Sequence, residues 1–398
     1  MLFVPADVFA DRHRRVREYL RENECFALLV TDPDHFYMLT GYHLDVAPWE
    51  RPVAAVIPAS GEPFLIMNEL STHHLRMASE RGTLAVTDYA IYVEHPRATR
   101  RTYTRDRWTD LLAAKLQKAG YRRGRLAADR ISAFRGLQAH LSGLSEFADA
   151  SRFLVEMRQV KYPAELKIMR ECAALTDWGQ DRYMELIKPG LVVAEHDLEV
   201  ARRVAAEGAR RFPEDRVEVR VWSLSGASSC SPHGTGADSG AQFERGDGVV
   251  NIIIVRLNGL VVENERTLFL GPPRGDIQKR AYAAATEANI TALEKFVEGT
   301  PLAEIDATAQ RVIEQHGFGD HIFHRTGHGM GIAGHEFPED MAFNYRPLME
   351  SEVYSCEPGV YVWGVGGFRQ DDTVVVGKTK PEVLTTRSKR IEDQTVPV

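Results

Sequence analysis

The sequence predicts an α+β protein of two domains: an α/β domain over residues 1–153, then a domain over 154–398 whose helices pack on a curved, mostly antiparallel sheet. Three observations carry this reading. Strand-like and helix-like segments alternate up to about residue 153. A long helical stretch, "MRQVKYPAELKIMRECAALTDWGQDRYMELI" (157–187), then breaks that rhythm. Beyond it come a hairpin, two helices and a strand-rich tail. A chain of 398 residues has room for two or three ordinary domains.

The elements follow in order. Residues 7–24 carry apolar positions at helical spacing, and "CFALLVTD" follows as a buried strand. "VAAVIPASGEPFLIM" (53–67) reads as a hairpin turning at Ser60-Gly61. "YTRDRWTDLLAAKLQKAGY" is a helix closed by Gly120, with "GRLAADR" as the next short strand. In the long helix, Pro163 lies near an N-terminus, where its missing N–H is harmless, and Pro189-Gly190 ends the run. A helix over about 194–208 and the strand "RVEVRVWSLSG" come next. From Gly246 to Gly271 two strands meet at Asn258-Gly259, a pair of residues suited to the positive φ angles of a two-residue hairpin turn. Helices at 276–297 and 302–316 precede the tail.

Bulk properties exclude some functions. The chain is 44% hydrophobic and 26% charged, with a net charge of −7 and both signs interspersed. Nucleic acid is therefore not expected as a partner, since phosphate binding needs a clustered basic excess. The arginine-rich "HPRATRRTYTRDR" (95–107) reads as a solvated loop. No apolar run approaches the ~20 residues of a membrane span, so no membrane is expected. The four cysteines lack metal-type spacing and read as reduced thiols of a cytoplasmic protein.

The second half interrupts its apolar strands with polar residues at five places. In "NGLVVENERTLFLG" (258–271) a two-residue turn sets Ile252 opposite Glu265 and Asn251 opposite Arg266. Glu263 and Glu265 then share one face with Val261, Thr267 and Phe269, because side chains alternate along a strand. Strands this apolar are usually covered, so the carboxylates belong to a pocket rather than to a wet edge. In "HRTGHGMGIAGHEFPED" (324–340), glycines surround His328, and His335 lies seven residues on, with Glu336 beside it. "YSCEPGVYV" presents Glu357, "GGFRQDDTVVV" presents Asp371 and Asp372, and "SPHGTG" presents His233. Five such interruptions in one half point to a single converging site.

Taken together these motifs resemble the creatinase / aminopeptidase P / methionine aminopeptidase family, whose catalytic domain has the pita-bread fold. "ALLVTDPDHFYMLTGY" (27–42) is similar to the N-terminal domain of the creatinase and aminopeptidase P branch, and "MRQVKYPAEL" to its domain junction. The order His233, hairpin, Gly-His-Gly, Glu-Pro-Gly, Gly-x-Arg is specific as a set. The resemblance implies a creatinase-type N-terminal domain over 1–153 and a pita-bread domain over 154–398. In the family's metallopeptidases, two aspartates of the hairpin, the Gly-His-Gly histidine and two glutamates hold two metal ions. Here the second aspartate position falls on Glu263, the first on Ile252, or on Asn251 if a bulge shifts the register, and the last glutamate position on Asp371.

With the first ligand position uncharged, the expectation is a metal-independent, creatinase-like hydrolase without a cofactor. It would cleave a C–N bond in a small amidine, guanidine or amide. The resemblance makes His233 the general acid/base and Glu265 and Glu357 a clamp for a cationic group. Glu263, His328, His335 and Asp371 would line the pocket. "PWERP" (48–52) is similar to the segment by which creatinase's partner subunit supplies an aromatic and an arginine, matched by Trp49 and Arg51. That implies a homodimer with a shared active site, Arg51 meeting an anionic end of the substrate. Creatinase's carboxylate-binding arginine falls at about Glu339, which argues against creatine as substrate. The alternatives are a metal-dependent Xaa-Pro aminopeptidase or prolidase-like peptidase with altered ligands (Glu263, His328, Glu357 and Asp371 on one ion), a lyase, and a catalytically inactive binding protein.

Overall fold

The computed structural model describes residues 2–44, 50–93, 107–121, 123–141, 143–233, 239–338 and 341–398. The basic patch at 95–107 and the residue Glu339 lie almost wholly outside these segments. The chain divides into two compact units, one of Phe3–Arg158 and one of Gln159–Val398 together with the first two residues.

In the N-terminal unit the order is α1 (Ala6–Glu22), β1 (Cys25–Val30), α2 (Pro33–Thr40), β2 (Ala54–Pro58), β3 (Phe64–Asn68), α3 (Thr72–Glu80), β4 (Tyr89–Tyr92), α4 (Arg107–Lys118), β5 (Arg123–Ala128), α5 (Ile131–Gln138), β6 (Gly143–Asp149) and α6 (Ser151–Met157). The strands form one six-stranded sheet in the order β4-β3-β2-β1-β5-β6. The β2–β3 pair is the antiparallel hairpin expected around Ser60-Gly61, and β1 runs parallel to β5. One face of this sheet is sealed by an apolar core that includes Leu29, Val56, Ile66, Leu126 and Phe134.

The C-terminal unit starts with α7 (Pro163–Leu186), which opens on Pro163 and on Glu165, whose Oε2 accepts the Tyr162 N–H at 3.0 Å. Then come α8 (Val193–Arg211), β7 (Val217–Ser225), β8 (Gly248–Leu257), β9 (Leu260–Leu270), α9 (Asp276–Leu293), α10 (Leu302–Gln315), β10 (Val353–Cys356), β11 (Gly359–Val362), β12 (Gly366–Arg369), β13 (Asp372–Val375), β14 (Glu382–Val383) and β15 (Thr395–Val396). The central sheet has the order β15-β9-β8-β7. This is the pita-bread fold.

Asn258 and Gly259 both adopt positive φ, +46° and +87°, so the hairpin closes in two residues. The ladder then runs without a bulge: Ile252 opposes Glu265, Ile254 opposes Glu263, and Asn251 opposes Arg266. β7 continues the rows, with Trp222 opposite Ile252 and Arg220 opposite Ile254. Alternation therefore gives the sheet two distinct faces. One packs on α7 and α8: Asn264 Nδ2 donates to Asp177 Oδ1 at 2.8 Å, and Tyr183 shares a hydrogen bond with Ser223. Gly179 lets α7 come this close, since a Cβ there would lie 2.9 Å from Val204 and 3.0 Å from Ile253. The other face carries Glu263 and Glu265, and it is the site.

The candidate active site

β9 lies between β15 and β8, so its two glutamates are covered; Glu263 is 6% exposed and Glu265 4%. The remaining groups are brought in by two flanking ladders. Cys356 pairs with Asp372 on β10 and β13, which puts Glu357 and Asp371, the next residues outward, side by side. Asp371 also exchanges backbone hydrogen bonds with Glu265 across an isolated bridge. The Gly-His-Gly loop is threaded against β10. Ser355 N–H donates to His328 O at 2.9 Å, and a Cβ on Gly327 would meet Ser355 O at 2.1 Å. Gly327→Ala should therefore displace the His328 loop. We expect loss of activity with about 1–3 kcal/mol of stability, readable as a lowered urea midpoint.

His328 is the hub. Its Nε2 lies 3.1 Å from Glu263 Oε1 and 3.4 Å from Glu357 Oε1. Burial works against its cationic form, but the two glutamates outweigh burial and raise it to about 9. Burial also opposes the Glu357 carboxylate, and His328, His324 and Arg369 overcome this to hold it below its ordinary value. His335 stacks on the His328 ring, centroids 3.8 Å apart, and burial together with His328 keeps it below the usual imidazole value.

Glu265 is not open to a substrate cation. Arg369 donates Nε and Nη2 to its two oxygens, the second at 2.9 Å. The expected Glu265–Glu357 clamp is thus half occupied by the protein's own guanidinium. Burial still raises Glu265 to about 8, with Glu357 and Glu263 adding to the effect. Asp371 lies behind, fully buried, and neither of its carboxylate oxygens has a hydrogen-bond partner among the described residues. Burial and the neighbouring Glu263, Glu265 and Glu357 push it well above the carboxylate range. Asp372, one residue on, does different work: it pairs with Arg266 and Lys389. Glu336 is likewise structural, bound to Lys161 Nζ at 3.1 Å and to the Ile332 N–H at 2.7 Å.

The cavity above this cluster measures about 720 Å³ and is lined by Glu263, Glu265, His328, His335, Glu357 and Arg369. His233 stands exposed at the same cavity, its ring 6.3 Å from that of His324. His324 was missed by sequence reasoning. It is tied to Tyr361 Oη at 2.6 Å, and Tyr361 in turn accepts from Arg369 at 3.2 Å. The one signal for it was its place four residues before His328. Arg51 belongs to the N-terminal unit and pairs with Glu50 at 2.5 Å; Trp49 lies outside the described residues.

The donor set bears on metal binding. A bridged two-metal cage does not fit. Ile252, the expected first ligand position, shares the site face but has no donor atom, while Asn251, the bulge alternative, lies on the face turned to the helices. Glu263, His328, Glu357 and Asp371 are donors of the kind a single divalent ion takes. The 3.1 and 3.4 Å N···O separations are those of ligand atoms on one shell, about 3.3 Å apart when metal bonds are ~2.0–2.1 Å. Asp371 has two idle oxygens for the purpose. Among the described residues no three His, Cys, Asp or Glu side chains are already placed to hold one ion.

Residues 167–378 match the metallopeptidase family M24, and residues 12–160 match the creatinase/prolidase N-terminal domain. The chain belongs to family M24 and is a hydrolase acting on C–N bonds. It resembles the dipeptidase PepE of Mycobacterium ulcerans, at TM-score 0.80 and 27% identity over 100% of both chains. It also resembles a prolidase of Thermococcus sibiricus, at TM-score 0.80 and 25% identity over 96% of this chain and 98% of that one. In sequence it is 28% identical to the Xaa-Pro dipeptidase of Pyrococcus horikoshii over 63% of this chain and 69% of that protein. These likenesses overturn the metal-independent, creatinase-like hydrolase expected from the sequence and favour the peptidase alternative. The expectation rested on the uncharged first ligand position, yet three carboxylates and an imidazole remain in the second half of the chain. Among the described residues no helix is long and apolar enough to cross a membrane.

Proposed function

We propose that the chain is a dipeptidase of the Xaa-Pro dipeptidase type, cleaving the peptide C–N bond of a dipeptide-sized substrate with one divalent metal ion. Glu263, His328, Glu357 and Asp371 would hold the ion. A bound ion would polarise the scissile carbonyl and acidify a water. The observation that carries the reading is the convergence of His328 with Glu263 and Glu357 beside an unpartnered, fully buried Asp371.

The chain's own groups divide the remaining work. Arg369 holds Glu265 and steadies Tyr361, which fixes the His324 ring. His335 covers one face of His328 and keeps water from it. His233, exposed at the cavity, gives a proton to the leaving nitrogen as the C–N bond breaks and takes up the proton of the water whose hydroxyl adds to the carbonyl. The free thiols support a reducing, cytoplasmic setting, and a homodimer remains part of the proposal.

The test is an assay of Xaa-Pro dipeptides, other dipeptides and tripeptides after loading with Mn, Zn, Co or Fe, with metal content measured alongside. About one ion per chain and dipeptide turnover are expected. Absence of dipeptide hydrolysis with every metal would overturn the reading. His233→Ala should lower kcat by ~10²–10⁴-fold with the fold intact; a near-normal kcat would remove His233 from the mechanism.

A further inference from the structure

One wall of the cavity has no part in the chemistry above. It is built from β7, where Arg220 and Trp222 share the face that carries Glu263 and Glu265. The ladders align them in rows. Arg220, Ile254 and Glu263 stand side by side across three strands, and Trp222, Ile252 and Glu265 form the next row. Moving outward from the reactive floor, the wall is therefore acidic, then aliphatic, then aromatic and cationic.

Arg220 is exposed, and its guanidinium lies over the Trp222 ring, 4.1 Å from the centroid. The neighbouring arginines on this sheet, Arg216 and Arg256, both reach Glu218, at 2.9 and 3.8 Å. Arg220 makes no ion pair with a carboxylate among the described residues. Trp222 is half-buried and packs with Ile254 against Leu224, Val250 and Ile252, a small apolar cluster on this face alone. The other acidic group at the cavity, Asp197, accepts from Ser223 at 2.6 Å, and Ser223 faces the opposite side of β7.

We propose that Arg220 and Trp222 form the subsite for the C-terminal residue of the substrate. Arg220 takes the free carboxylate, and the Trp222–Ile254 strip takes an apolar C-terminal side chain or ring. Strands lie ~4.8 Å apart, so the Cα atoms of Arg220 and Glu263 are roughly 10 Å apart across the row. A dipeptide, about 7 Å long at ~3.5 Å per residue, spans that row with its scissile carbonyl at the floor. A longer peptide would carry its carboxylate past Arg220. This rests on the peptidase reading above and narrows it to dipeptides that have a free carboxylate and an apolar second residue.

Two measurements separate the subsite from the reaction. The first compares an Ala-Pro dipeptide with its C-terminal amide, in the metal-loaded enzyme and its Arg220→Ala variant. A charged hydrogen-bonded contact is worth ~10–150-fold. We expect Arg220→Ala to lower kcat/KM for the free acid by that factor, mainly through KM, to leave the amide unchanged, and to be partly rescued by Arg220→Lys. Equal losses on acid and amide, or no loss on either, would overturn the proposal. The second needs no turnover. Calorimetric titration with L-proline and with prolinamide should show preference for the acid in the wild type and none in Arg220→Ala. Absence of any such preference in the wild type overturns the subsite. If dipeptides are not cleaved but the Arg220-dependent preference is present, the peptidase reading fails and the carboxylate subsite stands.

Discussion

Asp371→Asn is expected to abolish turnover and to leave the metal-free protein at least as stable as before. The two effects come from the same fact. Asp371 is fully buried, its oxygens have no hydrogen-bond partners among the described residues, and burial with three nearby glutamates pushes its pKa well above the carboxylate range. A carboxyl in that position is a cost to the fold. Asparagine has nearly the same shape and cannot ionise, so no buried charge can form there and the melting temperature of the metal-free variant should hold. Activity has the opposite dependence. Both Asp371 oxygens are idle among the described residues, and outer partners of metal ligands alone are worth ~10–100-fold in affinity or activity. Losing a ligand should cost at least ~10²-fold in kcat/KM. The bound metal should fall from about one per chain to a small fraction, as read by elemental analysis after dialysis. An Asp371→Asn enzyme that keeps both stoichiometric metal and normal turnover would take Asp371 out of the site. A variant that instead melts well below the parent would show that Asp371 supports the fold, contrary to the absence of partners.

How much of this was legible in the sequence depends on the range of the signal. The hairpin was fully readable. Asn258-Gly259 fixes a two-residue turn, the turn fixes the register, and alternation then puts Glu263 and Glu265 on one face and Asn251 and Arg266 on the other. Counting along the chain put the first ligand position at Ile252 or Asn251, and the register shows that Ile252 shares the site face while Asn251 does not. The occupancy of Glu265 by Arg369 could not be read, because 104 residues separate them and no local pattern couples them. The same holds for Arg220 and Trp222. The segment from Gly226 to Asp247 joins β7 to β8, and its length leaves their register open until the strands are seen paired. Adjacent carboxylates also looked alike in sequence. Only the tertiary partners separate Asp371, which has none at its oxygens, from Asp372, which has three at 2.5 to 2.9 Å.

Asp372→Ala should be among the most destabilising single changes in the C-terminal unit, by about 3–5 kcal/mol. The Arg266 side chain is fully buried, and Asp372 is the carboxylate it meets, at 2.7 Å. Arg266 has been pulled from water for a purpose: its Nη1 donates to the backbone carbonyls of Glu265 and Asp371, at 2.8 and 2.6 Å, and its Nε and Nη2 to Arg387 O. It therefore pins together the two backbone segments that carry the second hairpin glutamate and the idle aspartate. Removing Asp372 leaves this guanidinium, and the Lys389 ammonium that also contacts it, without their buried counter-charge. Burial opposes the Asp372 carboxylate, but Arg266 and Lys389 hold it below its ordinary value, so the anion is the form that folds. Its pKa is higher in the unfolded chain than in the native one. The stabilisation is complete above the unfolded value and is lost as pH falls through the native one, so the wild type should weaken in acid by this route and Asp372→Ala should not. Denaturant melts at neutral and acid pH read both statements. A cost below ~1 kcal/mol at neutral pH, or an unchanged acid dependence, would mean that Arg266 is held by the carbonyls alone and that the Glu265–Asp371 bridge needs no charge beneath it.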